Sequence, residues 1–183
     1  MGVEVEDVTL VFKIGTILLL VSILFQVVGM GSSHWVLTIR DDLGVIEYNG
    51  LWDKCSDLAV GTGQFKCSGF VWEDVQVSHW FRTVQTMEVL GLVGLLSAVV
   101  MIILYVFVSH TRGKAYIRVI ALCLCYLCGT FIIVSAIVFG SLKKVQKSRH
   151  VPDSYVKLSW SFAVSLIGGI LGFFSGIAFT ASH

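Results

Sequence analysis

Residues 119–140 read VIALCLCYLCGTFIIVSAIVFG, without a charge or a proline, and cover the ~20 residues a helix needs to cross a hydrocarbon core. Three other stretches read the same way. Residues 11–31 are apolar apart from Lys13 near the start and Gln26. Residues 89–108 carry no charge, and a span set at 87–108 adds only Glu88. Residues 158–181 carry none. Four spans, at 11–31, 87–108, 119–140 and 158–181, put both termini on one side of a membrane.

Composition agrees. Hydrophobic residues make up 56% of the 183 and charged residues 14%, and mean hydropathy is +0.85. Soluble domains carry roughly a quarter charged residues. A net charge of +1 leaves no basic surplus for nucleic acid. The single proline, Pro152, suits a chain that is mostly uninterrupted helix. The first span is flanked by Glu4, Glu6 and Asp7, where a cleaved signal peptide is basic, so it reads as an anchor that stays.

Two rules disagree about orientation. The large first loop, residues 32–86, holds Cys55 and Cys67. Two cysteines in a polar loop point to a disulfide and an oxidising, extracellular face. A Cys55–Cys67 bond would contribute roughly 3 kcal/mol in the chain-entropy model; the alternative is two free thiols. The termini and the basic loop 109–118 (Arg112, Lys114, Arg118) would then be cytosolic. Yet the second extracellular loop, 141–157, would hold Lys143, Lys144, Lys147, Arg149 and Lys157, and this basic count favours the opposite orientation. The first loop is acidic on balance: Asp41, Asp42, Glu47, Asp53, Asp57, Glu73 and Asp74 outnumber Arg40, Lys54, Lys66 and Arg82.

The first loop also has strand signals. His34-Trp35-Val36-Leu37-Thr38-Ile39 alternates as a half-buried strand does. Asp41, Asp42 and Gly44 supply turn chemistry, and Val45 to Tyr48 reads as a second strand. Asn49-Gly50 is a tight-turn dipeptide before Leu51-Trp52. Phe65-Lys66-Cys67 and Phe70-Val71-Trp72 supply one more strand. The expectation is a small antiparallel sheet on the outer ends of the helices.

Trp35, then Gly50-Leu51-Trp52, then Cys55 and Cys67, on a four-span background, resembles the first-loop signature of the superfamily of claudins, peripheral myelin protein, epithelial membrane proteins and lens-fibre membrane proteins. The resemblance covers nearly the whole chain. It implies a claudin-like fold: a left-handed, antiparallel four-helix membrane bundle with a small extracellular β-sheet, in one domain spanning 1–183. It implies the Cys55–Cys67 disulfide, cytosolic termini, and a Trp52 that anchors the sheet to the helix tops. It also asks for an Arg entering the second span; the nearest candidate, Arg82, reads as displaced toward the loop. The ending Thr180-Ala181-Ser182-His183 lacks the scaffold-binding tail of long claudins. With Leu158-Ser159-Trp160-Ser161-Phe162 and Phe173-Phe174-Ser175-Gly176, it looks closer to the lens-fibre and epithelial-membrane-protein branch. That branch commonly carries a first-loop sequon, but the only asparagine, Asn49, precedes Gly50-Leu51.

Other features are weighed residue by residue. Gly168, Gly172 and Gly176 repeat every four residues in span 4, spacing that lets helices approach closely, either inside one bundle or between copies. Glu88 and Gln26 both fall in the outer half of their spans; an inter-helix hydrogen bond is favoured over an ion path, with Glu88 near enough to the interface to reach headgroups or water. Cys123, Cys125 and Cys128 cannot converge on one metal, because i and i+2 face apart on a helix; small apolar filler is the reading. His34 and His79 lack further ligands at zinc spacing. Trp35, Trp80 and Trp160 fall at outer span ends and read as an aromatic belt. No nucleophile elbow, phosphate loop or metalloprotease motif occurs, so no enzymatic activity and no cofactor are expected.

The functional expectation is a protein of cell–cell junctions in the plasma membrane. It would self-assemble in cis and in trans, with membrane lipid and other claudin-like proteins as partners, and form a paracellular barrier or pore. The alternative is an auxiliary subunit of a channel or receptor. A stand-alone transporter ranks last, because mid-membrane polar groups are scarce.

Overall fold

The computed structural model describes residues 9–40, 45–57, 65–69, 78–108, 114–150 and 154–182. The proposed strand segment Phe70-Val71-Trp72 and the turn residues Asp41, Asp42 and Gly44 lie outside them. The described elements are α1 (Leu10–Gly31), β1 (Val36–Arg40), β2 (Val45–Asn49), β3 (Asp53–Asp57), β4 (Phe65–Gly69), α2 (His79–Phe107), α3 (Ala115–His150), β5 (Ser154–Leu158) and α4 (Trp160–Ala181). Four helices are long and apolar enough to cross a membrane.

The buried residues explain how the helices pack. On α1 they are Phe12, Gly15, Leu19, Ser22, Gln26 and Gly29. On α2 they include Phe81, Val84, Glu88, Gly91, Leu95, Ala98 and Ile102. On α4 they include Ser161, Ser165, Gly168, Gly172, Ser175 and Phe179. Each series steps by three and four residues in turn, the a/d repeat of a left-handed bundle. Many of these positions are small or polar. The large aliphatics point outward: Ile17 and Leu24 on α1, Leu90 and Val93 on α2, Leu127 and Ile137 on α3, and Ile177 on α4 are exposed on the bundle surface. This is the arrangement lipid favours, where close backbone packing and inter-helix hydrogen bonds replace hydrophobic exclusion.

The α1–α4 interface brings two backbones together. Ser22 Oγ donates to Gly168 O at 2.7 Å, and Ser175 Oγ to Gly15 O at 2.8 Å. A Cβ on Gly29 would sit 2.7 Å from the backbone nitrogen of Ser165. That atom cannot swing aside as a side chain could. Gly29→Ala is therefore expected to push α1 from α4 and to cost about 1–3 kcal/mol, read as a lower unfolding midpoint in mild detergent. Gly31→Ala, with nothing near its Cβ position, serves as the control.

The five strands form one antiparallel sheet in the order β4-β3-β2-β1-β5. Because β1 follows α1, β4 precedes α2, and β5 lies between α3 and α4, one end of each helix meets the sheet, and the helices alternate in direction. Two strands depart from the sequence reading. β3 carries Cys55 within Asp-Lys-Cys-Ser-Asp, a run with little intrinsic strand preference; its pairing to β2 and β4 forms it. β5 lies in what reads as a plain second loop, and pairs with β1 so that Val36 faces Leu158 and Thr38 faces Val156. Helix α3 also runs on to His150, beyond the apolar stretch, through a charged segment.

Candidate functional site

The described part of the large loop is held rigidly on the helix ends, and the signature residues do the holding. Trp35 is fully buried. Its indole Nε1 donates to Gly29 O, the end of α1, at 2.7 Å. Its ring meets Phe139 of α3 edge-on at 5.0 Å and Phe162 of α4 at 5.9 Å. This corrects the belt reading for Trp35: the residue is the hub of an aromatic floor between helices and sheet, not an interfacial anchor. Trp160, 50% exposed, keeps a surface position.

Gly50 is needed for close approach. Its nitrogen donates to Asp53 O at 2.9 Å, and a Cβ there would meet Ser33 Cα at 2.6 Å. Leu51 is fully buried, and its carbonyl accepts from Gln85 Nε2 on α2. Trp52 Nε1 donates to Met30 O on α1 at 2.9 Å. So Leu51 and Trp52 tie the β2–β3 connection to two helices, and Gly50 lets it lie close against Ser33. Ser33 Oγ adds a bond to Asp53 Oδ2 at 2.8 Å. Arg82 is not displaced into the loop; it lies in the first turn of α2, its nitrogen donating to Ser78 O at 3.3 Å.

Cys55 and Cys67 are directly opposite on β3 and β4 and form a disulfide. It secures an edge strand in which Lys66, Ser68 and Gly69 are exposed. Cys55→Ser with Cys67→Ser is expected to lower stability by about 3 kcal/mol, seen as loss of a gel-mobility shift on reduction and a lower melting midpoint.

Below the floor sits a buried polar cluster with one member from each helix. Gln26 Nε2 of α1 donates to Glu88 Oε2 of α2, and Ser135 Oγ of α3 donates to Glu88 Oε1. Ser165 Oγ of α4 lies 3.0 Å from Glu88 Oε2 and 3.1 Å from Gln26 Oε1. All four residues are fully buried. Glu88 thus does not reach headgroups or water, as its place near the span end suggests; its side chain turns inward on a d-like position. Ser135 and Ser165 are the members that sequence reasoning misses. A serine in an apolar helix carries no signal until its heptad position, for Ser135 in line with Cys128 and Ile132, is known.

The span 4 glycines face their own bundle. Gly168 lies against the α1 backbone at Ser22 and Gln26, Gly172 against Ser22 and Leu95, and Gly176 against the ring of Tyr126. Cys125 and Cys128 are buried and Cys123 is exposed. His34 packs against Tyr48 with the rings tilted, centroids 4.6 Å apart. Among the described residues no three His, Cys, Asp or Glu side chains are grouped to hold a metal.

A sheet built on Trp, Gly-Leu-Trp and a cross-strand disulfide, seated on four apolar helices, has a counterpart among known families. The profile of the PMP-22/EMP/MP20/Claudin family matches residues 6–179. The chain belongs to that family. No individual curated protein matches it. As a member of the PMP-22/EMP/MP20/Claudin family, it is a four-span, multi-pass membrane protein with a claudin-like fold.

Proposed function

We propose that the protein acts at cell–cell contacts of the plasma membrane, with its sheet extracellular and its termini cytosolic, and that it self-assembles there into an adhesive, barrier- or pore-forming array. The observation that carries this reading is the rigid sheet, cross-linked at its edge by Cys55–Cys67 and tied to all four helices through Trp35 and the Gly50-Leu51-Trp52 turn. The disulfide supports the extracellular side. Loops and strand edges held on a stiff base are suited to recognition, and the exposed β4 edge has backbone groups that another chain can pair.

Charge supports self-recognition. The first loop is acidic on balance and the segment 143–157, which begins at the end of α3, is basic, and such patches attract their opposites on a second copy. Aggregation of expressing cells in suspension should therefore fall as salt shortens the screening length from about 10 Å at 0.1 M to about 3 Å at 1 M. Aggregation unchanged over that range would count against charge-guided assembly. The auxiliary-subunit reading draws less support, since Gly168, Gly172 and Gly176, the small residues it would use to grip a partner helix, are packed within the bundle.

A further inference from the structure

A groove of about 330 Å³ opens on the flank of α2 beneath Trp52, lined by Trp52, Gln85, Thr86, Val89 and Leu90. The polar groups around it are already used. Trp52 Nε1 donates to Met30 O, Gln85 Nε2 to Leu51 O, and Thr86 Oγ1 to Arg82 O at 2.9 Å. What remains for an occupant is almost wholly apolar surface, so a polar ligand would find few partners. Val89 and Leu90 are exposed and begin the uncharged stretch 89–108, so the groove opens to the membrane at its sheet-side boundary. Arg82 lies one turn nearer the sheet on the same helix face, at the i−4 position from Thr86 and i−7 from Val89. Arg82 has an interaction within the chain, but a guanidinium carries five N–H donors and matches phosphate oxygens in pairs.

We infer that this groove is a binding site for one phospholipid of the sheet-side leaflet, an acyl chain lying under Trp52 against Val89 and Leu90 and the phosphate held by Arg82. The order of the parts, cation above and apolar trough below, follows the order of headgroup and chain in a bilayer. The inference requires the membrane span and not the junction role. A second copy of the chain is the rival occupant, and a merely lipid-wetted surface is the other.

The test uses the full chain in phosphatidylcholine vesicles that contain a trace of phosphatidylcholine with a diazirine on its acyl chain. After irradiation, labelled residues are mapped by mass spectrometry. Labelling concentrated on Trp52, Val89 and Leu90, severalfold above lipid-facing Leu24 and Phe174, is the expected result. Leu90→Trp, which fills the trough, and Arg82→Gln, which removes the phosphate partner, should each lower that labelling severalfold, with the Cys55–Cys67 disulfide and the melting midpoint showing that the variants fold. Equal labelling over all lipid-facing residues would overturn the inference. So would a loss in Leu90→Trp without a loss in Arg82→Gln, which would mark an apolar ligand with no phosphate. Efficient disulfide cross-linking between copies carrying Leu90→Cys in the same vesicles would assign the groove to protein instead.

Discussion

Trp35→Ala is expected to abolish surface delivery of the protein. The side chain is fully buried, so its loss leaves a cavity between sheet and helices, and Trp-to-Ala changes in cores cost about 3–5 kcal/mol. Stabilities of folded proteins are typically only ~5–15 kcal/mol, so this single change removes a large share. The cost is concentrated at one junction. The indole holds Gly29 O at 2.7 Å and is packed edge-on to Phe139 and Phe162, and Phe139 in turn lies 6.1 Å from Phe81. Removing the hub loosens contacts among α1, α2, α3 and α4 together. Trp35→Phe retains most of the ring but orphans Gly29 O, and should cost roughly 1–3 kcal/mol. Trp160→Ala, at a half-exposed position, should stay within about 0.5 kcal/mol. Surface biotinylation and a melting series in detergent check all three; equal behaviour of Trp35→Ala and Trp160→Ala would restore the belt reading.

The second large effect is expected at Glu88. In Glu88→Ala, the Gln26 amide and the Ser135 and Ser165 hydroxyls lose their common acceptor inside the bundle. Ser135 Oγ retains Ile132 O at 2.8 Å and Ser165 Oγ retains Gln26 Oε1 at 3.1 Å, so the Gln26 amide is the donor left unpaired; with the space vacated by the side chain, the cost comes to about 2–4 kcal/mol. Glu88→Gln keeps one carbonyl acceptor and the shape, and should cost only about 1 kcal/mol. A double-mutant cycle with Ser135→Ala isolates the coupling, because Ser135 touches the carboxylate directly. The cluster is read as a register lock, one group per helix. That reading fails if Glu88→Gln reaches the surface normally yet changes ion conductance.

The helices were legible because length and lack of charge suffice to mark a span. Their faces were less so. The a/d repeat on α1 and α4 is written in Gly and Ser, while the most hydrophobic residues mark the surface that faces lipid, so a search for an apolar core stripe finds the wrong side. Gln26 and Glu88 stand out in apolar runs and can be paired on paper; Ser135 and Ser165 cannot, since serine bonds its own helix as readily as a neighbour. Trp35 shows a different ambiguity. A tryptophan just after a span is written the same way whether it meets headgroups or the underside of a sheet. β5 was hidden because its partner β1 lies more than a hundred residues away in the chain, and its own alternation over Ser154–Leu158 is brief. The family signature was readable as a pattern, but its physical content was not: Gly50 makes room for Ser33, Leu51 supplies an acceptor to Gln85, and Trp52 reaches Met30.

The central claim, assembly of the sheet faces between cells, is tested most directly by microscopy of a tagged copy. Expressing cells that lack junction strands of their own are mixed with non-expressing cells, so that each expresser touches both kinds. Enrichment only where two expressers meet is the expected result. Uniform staining of the surface, equal at both kinds of contact, would contradict adhesion between copies and move the protein's role to partners in its own membrane.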